Sequence, residues 1–110
     1  MSSVLRVLDA ARAVEGEIDE IIDRLGSTLI VPDQLRRAVG AIGANIREGY
    51  GRREGAERNQ FLRYARGSAE ETDEHLRRNF KRKRIDEATY WRLHNRLATI
   101  VRMLTALMRD

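Results

Sequence analysis

Apolar residues recur along this chain at three- and four-residue steps almost without a break, the period of one face of an α-helix. In the first stretch Val4, Leu8, Ala11 and Val14, with Leu5 and Val7 beside them, lead on to Ile18, Ile21, Ile22 and Leu25. Ser2 or Ser3 can cap the amino end, and Gly26 stops the helix. A TLIV run follows with no second strand to pair with, so it is expected to be a loop that lays Leu29 or Ile30 over the end of a helical bundle. Pro32 suits the first turn of a second helix, whose stripe is Leu35, Val39, Ile42 and Ile46 and whose end is Gly49-Tyr50-Gly51. A third helix begins near Glu54 and buries Phe61, Leu62, Ala65, Ala69, Thr72, Leu76 and Phe80. Asp86 caps a fourth, with Leu93, Leu97, Ile100, Leu104 and Leu107 as its stripe and Trp91, Val101 and Met108 widening that face. The predicted spans are residues 3–25, 32–49, 54–80 and 86–109.

Helices of similar length joined by short connections predict an all-α, antiparallel, up-down-up-down four-helix bundle, occupying residues 1–110 as one domain. Composition agrees. Of 110 residues, 42% are hydrophobic and 35% charged, with a single proline, which excludes collagenous and low-complexity classes. Cysteine is absent, so disulfides and thiolate metal sites are excluded. No apolar run approaches the roughly 18 residues that span a bilayer. Charges interrupt the amino-terminal apolar stretch, unlike a signal peptide, so the expected location is cytoplasmic and no membrane partner is expected. Gly40 and Gly43 in the second helix and Gly67 in the third, with Ala38, Ala41 and Ala44, leave a surface of low relief. Close packing between the second and third helices and close packing between subunits both explain it.

Charge changes the picture more than its total of +4 suggests. Residues 1–31 carry three basic and six acidic side chains, residues 32–84 fourteen and eight, and residues 85–110 four and three. The densest run is RRNFKRKR, where Arg77, Arg78, Lys81, Arg82, Lys83 and Arg84 place six cations in eight positions at the end of the third helix. One or two cations satisfy a helix carboxyl end. Six together repel one another unless anions neutralise them, and phosphate is the common multivalent answer. A solvated cluster and an acidic protein partner are the competing explanations. Arg52 and Arg53 head a second basic group with Arg58, Arg63 and Arg66, in which Glu54, Glu57 and Glu70 are interspersed as pairing partners.

Two polar stripes border the apolar seams: Asn45, Glu48 and Arg52 on the second helix, and Tyr64, Ser68, Glu71 and His75 on the third. They are expected to face one another, with Arg37, Arg52 or Arg53 pairing Glu48 or Glu71. A structural network and a ligand site are both open readings of this cluster. Catalysis lacks its usual parts, so no enzyme, catalytic residue or cofactor is expected. Glu71 and His75 offer two metal ligands where a stable site needs more, so no metal site is expected either. Most of the six aromatics fall on core stripes, which argues against a base-stacking platform.

The stretch QLRRAVGAIGANIREGYGRR, with QFLRYARGSAEE after it, resembles the four-helix-bundle family of 23S rRNA intervening-sequence proteins, also called S23 ribosomal proteins. Accessory proteins of diversity-generating retroelements are more distant relatives of that family. The likeness rests on Gln34, Leu35, Arg36, Arg37 and Ala38, then Asn45, Ile46, Glu48 and Gly49, then Phe61, Leu62, Ala65, Gly67, Ser68 and Glu71. Ala41, Gly43, Arg47 and Arg58 depart from its pattern. The resemblance implies a bundle that assembles into a ring, with five subunits the expected number, and an association with RNA or a nucleic-acid-handling enzyme. It singles out Arg37, Asn45, Glu48, Ser68 and Glu71 as the family's polar motif. The expectation from residues and resemblance together is a non-enzymatic oligomer that binds structured nucleic acid, RNA favoured over DNA, through Arg77–Arg84 with Arg52 and Arg53. The alternative is a ring-shaped scaffold for a nucleic-acid-handling partner.

Overall fold

The computed structural model describes residues 2–108 and holds four helices: α1 (Ser3–Leu25), α2 (Pro32–Tyr50), α3 (Ala56–Lys81) and α4 (Glu87–Leu107). The predicted reach of the last helix to residue 109 lies outside the described residues. Local chemistry sets the ends. The Ser2 hydroxyl accepts from the Leu5 amide at 3.2 Å, and Gly26 closes α1 with a φ of +52°. A short 3-10 turn, Gly26–Thr28, leads to Leu29, which is buried as predicted. The third helix starts two residues later than expected, because Gly55 turns the chain with a φ of +115° immediately before it.

Each helix runs antiparallel to its neighbours. Arg36 near the start of α2 reaches Asp19 and Asp23 toward the end of α1, while Gly43 further along α2 lies against Leu8. Gly49 meets Phe61 where α2 gives way to α3. On α4, Arg92 and Arg96 hold Glu17 of α1, and Arg66 of α3 reaches Thr105. The result is a rod of 42 × 22 × 21 Å with one continuous core.

That core corrects the predicted stripes in three places. On α1 the line through Val7, Ala11, Val14, Ile18 and Ile21 is buried, while Leu5 is 51% exposed. On α4 it is Tyr90 that turns inward, and Trp91, expected to widen the apolar face, is 48% exposed. On α3 two polar residues join the core, His75 and Asn79. The glycines also sit differently. Gly40 and Gly43 lie along α1, where an added Cβ would stand 3.3 Å from Glu15 Oε2 and 3.8 Å from Leu8 Cδ1 of that helix, whereas a Cβ on Gly67 would meet nothing within 4 Å. The close approach of α2 to α3 is at Gly49, where an added Cβ would stand 3.1 Å from the Phe61 Cβ and 3.3 Å from the Arg58 carbonyl oxygen.

Candidate nucleic-acid interface

The basic run occupies the last turns of α3 and the connection to α4, and all six of its cations are exposed. Arg77, Arg78, Lys81, Arg82 and Lys83 form no ion pair among the described residues; Arg84 donates from Nη1 to the Thr28 carbonyl at 3.2 Å. Arg77, Arg78, Lys81 and Arg82 border an open basin of about 430 Å³, with Glu74 its one acidic residue. The chain leaves α3 through Lys83, whose φ is +59°, and the Arg84 amide donates back to the Asn79 carbonyl at 2.8 Å. That left-handed exit ends the helix, and the Arg82 and Lys83 amides donate to the carbonyls of Arg78 and Phe80 in its last turn.

Asn79 fixes the whole end. Its Oδ1 accepts from the Ile30 amide at 2.7 Å, and its Nδ2 donates to the carbonyls of His75 at 2.9 Å and Ile30 at 3.3 Å. The loop before α2 is thereby tied to α3 beside the basic turn. Sequence reading passed over Asn79. Its only signal was a polar residue three positions after Leu76 on an otherwise apolar stripe.

Arg52 and Arg53, at the head of the second basic group, precede the other end of α3, a 26-residue helix about 39 Å long at 1.5 Å per residue. Arg52 is occupied, bridging Glu48 at 2.7 Å and Glu57 at 3.2 Å, and these bonds raise its pKa. Arg58 closes the end of α2 through the carbonyls of Gly49 and Arg52 and lies 4.4 Å over the Tyr50 ring. Arg53 is exposed without an ion pair among the described residues. Arg52 and Arg53 therefore do not join the basic run in one surface on a single chain.

Of the polar motif, the structure brings together Arg37, Ser68 and Glu71, which with Gln34, Ala38 and Ala41 line a groove of about 360 Å³ between α2 and α3. Asn45 and Glu48 do not line it. The Asn45 amide donates to the Ala41 carbonyl at 2.9 Å, and Glu48 pairs with Arg52 as expected. Glu71 pairs with His75 at 3.3 Å instead of an arginine. Neither carboxylate is buried: the side chains of Glu48 and Glu71 are 52% and 59% exposed. The demand that a buried charge be neutralised does not arise.

A model of the family described as 23S rRNA-intervening sequence protein matches residues 4–106. The chain belongs to that family. Among solved structures, this family member is similar to a protein of unknown function from the S23 ribosomal protein family of Bacteroides thetaiotaomicron VPI-5482. The two share 21% identity over 99% of this chain and 100% of the other, with a TM-score of 0.90, a likeness of fold. No curated protein shows significant similarity to it.

Among its described residues this family member has no helix long and apolar enough to cross a membrane, and no group of three or more His, Asp or Glu placed to hold a metal ion. It does have a cluster that sequence reading did not find. Asp73 Oδ1 lies 2.8 Å from His94 Nδ1 and accepts the Tyr90 hydroxyl at 3.4 Å. Burial, and then the Asp73 charge, raise the Tyr90 pKa. The Tyr90 ring stacks on Phe80 at 4.9 Å and meets Trp91 at 5.1 Å, and Trp91 meets His94 at 5.2 Å. Asp73 and His94 are on different helices, so only the register of α3 against α4 reveals the pair.

Proposed function

We propose that this family member is a non-enzymatic, oligomeric RNA-binding bundle that takes the phosphate backbone of structured RNA on the cations of residues 77–83. The observation that carries this reading is the set of five exposed cations, Arg77, Arg78, Lys81, Arg82 and Lys83, with no ion-pair partner among the described residues. Cations left without carboxylates are available to exchange small counterions for phosphates, with a gain that depends on salt. Belonging to a family named for sequence that intervenes in 23S rRNA favours RNA over DNA. A ring of copies, five by family likeness, repeats the basic end and multiplies its field.

The test is size-exclusion chromatography with light scattering, with and without RNA, across a salt series. The expected result is an oligomer whose RNA affinity falls with salt at a slope of roughly −0.7 to −0.9 per phosphate neutralised. Replacing Lys81, Arg82 and Lys83 by glutamine is expected to lower that slope and weaken binding while the melting temperature holds. Binding that survives this change at moderate salt overturns the assignment. Arg84 is left in place because its bond to Thr28 is structural.

The scaffold alternative draws on the α2–α3 groove, where Arg37 and Glu71 flank a floor of Ala38 and Ala41. Gly43→Leu is a poor probe of assembly, since Gly43 is already buried beside Leu8. Ala41→Arg fills the groove directly and is expected to change the oligomer mass if copies meet there.

A further inference from the structure

We propose that Trp91 is a stacking platform for one unpaired nucleobase of the RNA whose phosphates the adjoining cations hold. The inference rests on the RNA-binding reading above and adds to it a preference for unpaired nucleotides. Trp91 is the only tryptophan and, among the described residues, one of three large hydrophobic side chains left exposed, the others being Leu5 and Tyr64. It alone of the three is joined to the basic run. Phe80, within that run, stacks on Tyr90 with planes 3° apart, and Tyr90 abuts Trp91.

The indole is held firmly. Tyr90 and His94 both meet it near perpendicular, at 68° and 81° between planes, and Asp73 anchors both of those rings. Tyr90 and His94 themselves lie 5.7 Å apart, so they meet the indole from one side, and about half of its surface is left open to a flat partner. A base is flat and offers a π-face whatever its identity, so such a platform is tolerant of sequence. In a duplex both faces of every base are covered by neighbours, so only a loop, bulge or end can use it.

Because Trp91 is the sole tryptophan, its emission reports on this position alone. The full-length protein is titrated with an RNA hairpin carrying an unpaired loop and with a fully paired RNA duplex of equal phosphate number. Quenching by the hairpin and little change with the duplex is the expected result. In parallel, labelled-hairpin anisotropy is expected to show about a tenfold loss of affinity for Trp91→Leu and near-native affinity for Trp91→Phe, which keeps a ring. Circular dichroism and melting of both variants establish that they are folded. If Trp91→Leu binds as tightly as the parent while binding stays salt-dependent, stacking is overturned and the phosphate reading stands. If the parent binds neither RNA, the phosphate reading falls first and the platform with it. If acrylamide cannot reach Trp91 in the protein alone, another copy covers the indole and the platform is likewise overturned.

Discussion

A left-handed backbone at a residue with a side chain costs roughly 1–2 kcal/mol unless something else demands it. At Lys83, φ +59°, the demand is the exit from α3, and the side chain itself is exposed. Lys83→Gly is therefore expected to raise stability by about 0.5–1 kcal/mol in urea denaturation while removing one cation from the proposed RNA surface. Glycines give the converse contrast. Gly67 is exposed in mid-helix with open space around it, so Gly67→Ala is expected to stabilise by about 0.5–1 kcal/mol. The same change at Gly49 puts a methyl 3.1 Å from the Phe61 Cβ and 3.3 Å from the Arg58 carbonyl oxygen, against the start of α3. There the melting temperature is expected to fall, because a backbone must move to make room.

Helix boundaries follow from signals within a few residues of each end, which is why three of the four starts fall within one residue of the reading from sequence. Asp86 illustrates the chemistry. Its carboxylate accepts the Thr89 amide at 2.7 Å, and that bond, with the Thr89 hydroxyl helping, lowers its pKa. A lowered folded-state value means that the cap contributes fully above the unfolded aspartate pKa, near 4, and is lost as pH falls through the folded one. Asp86→Asn, still a good cap, is expected to keep most of the melting temperature at pH 7 and to flatten its decline below pH 4; Asp86→Ala is expected to lower it at pH 7. Periodicity was less informative about which of two adjacent residues turns inward. Tyr90 and Trp91 differ by about 100° around α4, and only the packing of Phe80 against Tyr90 decides between them. The basic run was legible because its members are consecutive. The Asp73–His94 pair was not, since it depends on how far α3 slides along α4.

On the scale of the whole bundle, the two ends differ in how their charge is spent. At one end Arg52 and Arg58 are consumed by carboxylates, carbonyls and a ring; at the other, five cations remain free of ion pairs among the described residues. Raising salt is therefore expected to change RNA affinity steeply and the melting temperature little. The family motif was legible in residue type but only partly in space, because Asn45 and Glu48 found local partners and left Arg37, Ser68 and Glu71 to share the groove. Asn79 matters at this scale too. Asn79→Leu leaves the Ile30 amide and carbonyl without their partner and is expected to cost about 2–3 kcal/mol in urea denaturation.

The latch that Asn79 makes has a dynamic corollary. A connecting loop ordinarily exchanges its amide hydrogens within moments, yet the Ile30 hydrogen can reach solvent only when the first hairpin lifts away from the third helix. Its deuterium uptake should be far slower than that of an open loop, a slow proton in the middle of a turn, and any force applied to the cationic tip would be felt at once in the neighbouring connection between α1 and α2.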